Sequence, residues 1–330
     1  MPRLELPELA DAVWRPLNVG DADAMSALQQ TCFAVDGGHR IVAAEMREEF
    51  DRFGEDAPVC SVGAFTPEGR LLAFGWAQVP QSGVTEHRGF VWMEIDPEYR
   101  GAIEDALLDW VEDAGCQRLR LFTDGVPTAL YRYEVYDWMT DRIALMERHG
   151  YGAVRYFTEN VRDLSLPIDD RPLAEGLVAR AWSAQAEVDA LVVHNAAFAD
   201  HWGSQPIEED AWKSYNSGEF FQRHTSWVVY DGTTPVAYIK SGKYPHDFED
   251  RGRTESWIEA VGTVRSHRGR GIASTLIAMA LKGYRDDGME YACLGVDSQN
   301  PTGANRIYER LGFVPEKRMM AFRKAIESGS

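Results

Sequence analysis

The chain of 330 residues is 45% hydrophobic and 26% charged, with a formal net charge of −18. This is the composition of a globular protein long enough for two domains. The acidity argues against nucleic acid or an anionic membrane as a partner, because phosphate contacts need clustered Lys and Arg.

No apolar run approaches the roughly 18 residues of a membrane span. Met1-Pro2-Arg3-Leu4-Glu5 has no basic stretch leading into an apolar core, so no membrane association and a cytoplasmic location are expected. Cys32, Cys60, Cys116 and Cys293 form no CxxC pair. They read as reduced structural thiols, and no metal is expected.

Along the chain one pattern of elements comes twice. Cys32-Phe33-Ala34 is expected to precede a polar helix, and so is Ala197-Phe198-Ala199, at an offset of 165 (198 minus 33). A hairpin follows in each half. The first is Val62–Phe65, a turn at Pro67-Glu68-Gly69 and Leu71–Phe74; the second is Trp227–Tyr230, a turn at Asp231-Gly232 and Val236–Ile239. Apolar content and turn residues both favour hairpins. A strand then ends in Tyr99-Arg100-Gly101 or in His267-Arg268-Gly269, offset by 168 (269 minus 101). Last come Met146–Tyr151 and Tyr308–Phe313, offset by 162 (308 minus 146). Constant order at near-constant offset implies a duplication. Leu164 to Pro172 holds two prolines and suits an extended connector. Domains of 1–168 and 169–330 are therefore expected, with a frayed tail at Glu327–Ser330.

Two aromatic stretches stand out. Tyr131, Tyr133, Tyr136 and Trp138 read as core or interdomain packing. His201 and Trp202, after the first helix of the second half, together with Asp297, are candidates for substrate contact.

The segment Trp257–Val264 is a strand by its β-branched content, and Ile272, Leu276, Ala280 and Tyr284 recur at helical spacing. Between them lies Arg265-Ser266-His267-Arg268-Gly269-Arg270-Gly271. The helix is expected to begin at or just after Gly271 and to stop near Gly288 as its C-cap. A strand, a glycine turn and a helix N-terminus make an anion site: the first helical N–H groups lack internal partners, and glycine lets a phosphate approach the backbone. Arg268 and Arg270 add positive charge there. Glu259, a carboxylate on an otherwise apolar strand, suits a general base. Leu294–Phe313 reads as strand, loop, short helix and final strand, with Tyr308 in the helix.

These residues resemble the GNAT superfamily of N-acetyltransferases. Arg268-Gly269-Arg270-Gly271-Ile272-Ala273 matches its signature Q/R-x-x-G-x-G/A, and Asn300 to Phe313 resembles its second signature. Two such domains in one chain resemble tandem GNAT proteins of the mycothiol synthase type. The implied fold is α/β, two tandem domains each with a splayed mixed sheet flanked by helices. The resemblance implies acetyl-CoA as co-substrate, its pantetheine arm along Val261, Gly262, Thr263 and Val264. Its pyrophosphate would meet the N–H groups of Arg268, Gly269, Arg270, Gly271, Ile272, Ala273 and Ser274, with Asn300 and Asn305 nearby. Glu259 would be the base and Tyr308 the acid in direct transfer to a small-molecule amine, within a monomer or homodimer. A module that binds acetyl-CoA without turnover is the alternative, and transfer of a longer acyl group stays open.

The first half departs from the pattern. Val91-Trp92-Met93-Glu94-Ile95-Asp96-Pro97-Glu98-Tyr99-Arg100-Gly101 lacks the second glycine, and the alignment leaves one residue missing before the helix. Glu104 and Asp105 fall where pyrophosphate would land, and Val91 and Met146 replace the base and acid. A degenerate, non-catalytic domain is expected.

Overall fold

In the computed structural model, which describes residues 5–80, 83–169, 171–299 and 304–326, the alternating segments on either side of Pro67-Glu68-Gly69 pair as a hairpin. They are β2 (Ser61–Phe65) and β3 (Leu71–Gln78), preceded by β1 (Val13–Arg15), α1 (Ala22–Asp36), α2 (Ala43–Phe53) and α3 (Ala57–Cys60). Gly69 closes the turn at φ +89°, a conformation that glycine adopts without a Cβ clash. β4 (His87–Ile95), α4 (Glu104–Leu119), β5 (Thr128–Tyr136) and α5 (Thr140–Arg148) follow. The strands run in the order β1-β2-β3-β4-β5, antiparallel except that β4 and β5 are parallel over His87–Phe90 and Thr128–Tyr131. Every residue of β3 is buried. At Gly75 the helix α4 packs so closely that a Cβ would stand 2.4 Å from Val111.

The second half builds β6 (Gly152–Asp163), β7 (Leu177–Ala181), α6 (Ala184–Phe198), α7 (Glu209–Ser217), β8 (Trp227–Asp231), β9 (Thr234–Gly242), α8 (Phe248–Arg251), β10 (Glu255–Thr263), α9 (Ile272–Asp286), β11 (Tyr291–Asp297), α10 (Ala304–Arg310) and β12 (Val314–Ile326). Its order is β7-β8-β9-β10-β11-β6, with β10 and β11 the parallel pair. Ile272, Leu276, Ala280 and Tyr284 are all buried on one face of α9, as their spacing implies. The helix ends in an αR Asp287 followed by Gly288 at φ +79°, whose N–H meets Arg285 C=O at 3.0 Å.

Contacts divide the chain into a unit that ends at Arg155 and resumes at Met319, and a second unit, Tyr156–Arg318. Each half therefore lends its last strand to the other's sheet. Residues 157–163 of β6 pair with β11, and Met319–Ile326 of β12 pair with β5. Residues 168 and 169, where the sequence suggests a seam, lie inside the second unit, while Asp170, Met1–Leu4 and the tail Glu327–Ser330 fall outside the described residues. Proline content marks the connector, but no local signal reveals that strands have been exchanged. Charge holds the second unit's new edge. Arg251 meets Glu159 at 2.7 Å and Glu255 at 3.1 Å, and Arg253 bridges Glu255 at 2.7 Å to Glu316 at 2.5 Å. With Glu255 almost fully buried, the cluster survives because every carboxylate in it is paired.

One half-buried histidine makes stability depend on pH. His194 of α6 stacks on Phe198 and accepts the Tyr238 hydroxyl at Nδ1, 2.6 Å away. Burial, with a smaller contribution from the Lys240 charge, lowers its pKa from 6.5 to about 4. The folded state thus favours neutral imidazole, and the unfolded chain takes up a proton first as pH falls. The stabilisation is full above pH 6.5 and is lost towards pH 4, by a total of about 3 kcal/mol. His194→Gln is expected to flatten that part of the melting-temperature profile relative to wild type. A profile parallel to wild type would show that His194 titrates normally.

Candidate active site

β10 and β11 stay paired only from Glu255–Ile258 against Tyr291–Leu294. Beyond Ile258 they part, and the edge of β10 that faces β11 no longer has a partner strand. A cleft of about 510 Å³ opens there in the second unit. Its walls are residues 258–263 of β10, residues 294–297 of β11, the start of α9, the end of α6, and Ile307, Tyr308 and Arg310 of α10.

At the cleft's end the glycine turn takes the form its sequence suggests. Gly269 and Gly271 stand at φ +78° and +77°, and Gly271 caps α9 in the left-handed conformation. The first helical bond runs from Thr275 N–H to Gly271 C=O, so the helix itself offers the N–H groups of Ile272, Ala273 and Ser274 no acceptor. All three residues line the cleft. An anionic group seated here would meet several oriented donors and the positive end of a helix of 15 residues. Arg268 lines the same end, yet its guanidinium is spent on protein. It donates to Thr263 C=O at 3.2 Å and Ala197 C=O at 2.8 Å, clamping the turn to α6. Arg270 points away from the cleft towards Asp231, 3.9 Å off.

Glu259 owes its position to a β-bulge. Ile258 pairs with Ser241 and Ala260 with Lys240, which leaves Glu259 as the extra residue of β10, facing the cleft. Its Oε1 accepts from the Tyr244 hydroxyl at 2.8 Å and its Oε2 meets Lys240 Nζ at 2.9 Å. Neither partner is legible from the motif, although both lie where a carboxylate on an apolar strand needs support. Tyr308 is 9% exposed and packs edge-on against Phe313. Burial pushes its pKa up to about 12, so the hydroxyl keeps its proton at neutral pH. His201 faces the cleft from the loop after α6. Burial and then the Arg268 charge lower its pKa, favouring neutral imidazole.

Of the residues singled out from the sequence, Glu259, Val261, Gly262, Thr263, Arg268, Gly269, Gly271, Ile272, Ala273, Ser274, Asp297, Tyr308 and His201 come together in this cleft. Val264, Arg270, Trp202 and Asn305 do not line it. Val264 packs into the core, and the Asn305 amide reaches Ser298 C=O at 3.4 Å. Asn300 lies outside the described residues. Missed by the sequence were Phe157, brought in on the exchanged strand β6, and Arg171. The buried Thr263 hydroxyl has no hydrogen-bond partner among the described residues. An orphaned donor on the unpaired edge suits a ligand rich in amides, as a pantetheine arm is. Among the described residues Asp109, Glu112 and His149 could group around a cation. His149 is already engaged by Asp105 at 2.7 Å and Asp109 at 3.3 Å, which accounts for the grouping.

The matching turn of the first unit differs. Its helix begins at Glu104, offset by 168 from Ile272 (272 minus 104), the same offset that separates Arg100 from Arg268. No residue is missing before the helix, contrary to the sequence reading; Ile103, at φ −127°, stands in the second glycine's place. Two N–H groups of the turn, the counterparts of those of Gly269 and Gly271, are already taken. The Glu104 carboxylate accepts from Gly101 N–H at 2.5 Å and Ile103 N–H at 3.2 Å.

Residues 188–313 match the model of the Acetyltransferase (GNAT) family. The chain is 27% identical over 320 residues to a mycothiol acetyltransferase of Salinispora arenicola, covering 94% of this chain and 91% of that one. Its fold is similar to a GCN5-related N-acetyltransferase from Sphaerobacter thermophilus, with a TM-score of 0.73 at 24% identity over 99% and 98% of the two chains. It is also similar to a tandem GNAT protein from the clavulanic acid biosynthesis pathway, with a TM-score of 0.66 at 14% identity over 97% and 99%.

Proposed function

We propose that this chain, an acetyl-CoA-dependent N-acetyltransferase of GNAT type, moves the acetyl group onto the primary amine of a small molecule by direct transfer in a ternary complex. The observation that carries this reading is the cleft itself. An unpaired strand edge, a turn with two left-handed glycines and a buried protonated tyrosine meet in one cavity. Acetyl-CoA would lie with its pantetheine arm along residues 261–263 and its pyrophosphate against the N–H groups of 272–274. The acceptor amine gives up a proton and attacks the thioester carbonyl, and a β10 backbone N–H steadies the charge on oxygen. Glu259 acts as base through a water, since each of its oxygens already accepts one hydrogen bond and keeps one lone pair free. Tyr308 gives its proton to the departing thiolate. The catalytic half, expected over residues 169–330, is taken as the second unit, Tyr156–Arg318. The mycothiol acetyltransferases' acceptor heads a panel of amines, screened by thiol release.

The first unit is read as non-catalytic. Glu104 supplies the anion that the N–H groups would otherwise bind, and a second anion would meet its charge.

Replacing Gly271 by valine tests the cofactor assignment. A β-branched residue at φ +77° is strained, and its Cβ would project into the anion site. The Kd for acetyl-CoA is expected to rise by about tenfold, matching about 1.4 kcal/mol, alongside a fall of several degrees in melting temperature from the strain, so the titration is run well below the melt. Unaltered affinity in a titration would place the phosphates elsewhere.

A further inference from the structure

The first unit holds a cavity of its own, about 320 Å³, between α1, α2, β4, β5 and the start of α5. Part of its charged lining is closed on itself. Arg100 clasps Asp36 with both terminal nitrogens, and Arg142 joins Asp36 at 3.4 Å to Glu94 at 2.9 Å. Arg132 reaches Val91 C=O and Glu94 at 3.4 and 3.5 Å across the gap where β4 and β5 diverge. Arg100, Arg132 and Arg142 thus gather around Asp36 and Glu94, and the Glu134 charge also acts on Arg132.

Two carboxylates remain. Glu49 pairs with Arg52 and accepts from Gln78 at 2.8 Å; burial raises its pKa, and the Glu134 charge adds to the effect. Glu134 has no hydrogen bond or ion pair among the described residues. It faces the cavity because β5 carries a bulge: Val135 pairs with Met320 and Arg132 with Phe322, so Tyr133 and Glu134 share one partner position. Glu134 also holds φ +59°, rare for a residue with a side chain. Around these carboxylates the wall is aromatic. Tyr133 lies 5.5 Å from Phe90 and stacks on Tyr131 at 5.7 Å, and Trp92 completes the side. A concave aromatic wall beside a carboxylate that makes no hydrogen bond or ion pair among the described residues suits a cation with an apolar body. Glu134 also holds the β5 position that Asp297 holds on β11, each six residues beyond the first parallel pair.

We propose that this cavity binds a small organic ammonium ion, its charge against Glu134 and Glu49 and its body against Tyr133 and Trp92. The site uses no acetyl-CoA, and its existence does not depend on the reading of the second unit. The aromatic residues 131, 133 and 136 look like packing in sequence because their spacing of two and three fits an ordinary strand. The bulge that turns them about a cavity leaves no local signature.

Calorimetric titration of the full chain with phenethylammonium, and with 2-phenylethanol as its uncharged counterpart, tests the proposal. The ammonium ion is expected to bind at least about tenfold more tightly than the alcohol. Glu134→Gln is expected to weaken it by about tenfold, and Glu134→Lys to abolish binding. Tyr133→Leu is expected to weaken the ion more than the alcohol. Melting temperatures identify any variant that fails to fold, and the remaining ones decide. Equal affinity for ion and alcohol, no saturable binding up to about 10 mM, or full binding by Glu134→Lys overturns the proposal.

Discussion

Tyr308→Phe is expected to lower kcat by about 100-fold while leaving the Kd for acetyl-CoA within about twofold. The substitution removes one oxygen. The ring stays against Phe313, and the hydroxyl makes no hydrogen bond within the described residues, so the fold loses little. What is lost is the donor that meets a leaving thiolate as its charge develops, and a group acting only on developing charge affects kcat rather than affinity. The pH profile adds a second check. Burial pushes the hydroxyl's pKa up to about 12, so its proton is held throughout the range in which enzymes are assayed. Tyr308 therefore contributes no loss of rate as pH rises from 7 to about 10. A wild-type alkaline limb that vanishes in Tyr308→Phe would show the phenol titrating well below the value its burial dictates. An unchanged kcat would mean that the thiolate leaves unassisted or is met by another group.

How much of this site is legible in the sequence depends on whether the signal is local. The turn at Gly269 and Gly271 was readable because a left-handed backbone needs glycine, and the helix start followed from apolar spacing. The duplication was readable because landmarks keep their order. The roles of the arginines were not. Arg268 and Arg270 look alike as sequence, but one side chain turns inward to two carbonyl groups and the other turns away. Nor could the motif show that Glu259 is held by Lys240 and Tyr244, since those contacts need β9 laid beside a bulge. The first half teaches the same lesson in reverse. Its missing glycine was plain, but that Glu104 reaches back to the turn's N–H groups, with the loop at full length, is a matter of geometry.

Ending the chain after Arg318 is expected to unfold the first unit, although its sequence up to Arg155 would be untouched. That unit draws its edge strand from Met319–Ile326, which pairs with β5 along Thr128–Tyr136. Phe322 is 1% exposed and Ala321 and Met320 are buried, so truncation removes core side chains as well as a ladder of backbone hydrogen bonds. Phe322→Ala samples the same effect at one residue and is expected to cost about 3–5 kcal/mol. Both changes lie outside the cleft of the second unit, whose lining ends at Arg310. Hydrogen exchange with mass spectrometry would read the outcome by segment. Protection should fall in β2 to β5 and survive in β8 to β11, and full protection of β3 in the truncated chain would exclude an essential role for the exchanged strand. The converse holds for β6, whose residues 157–163 edge the second unit's sheet and bring Phe157 to the cleft. A fragment starting after residue 168 would lack that strand. If the first half is non-catalytic, as proposed, it still has a structural reason to be kept: the second unit cannot complete its own sheet without a strand that precedes the seam.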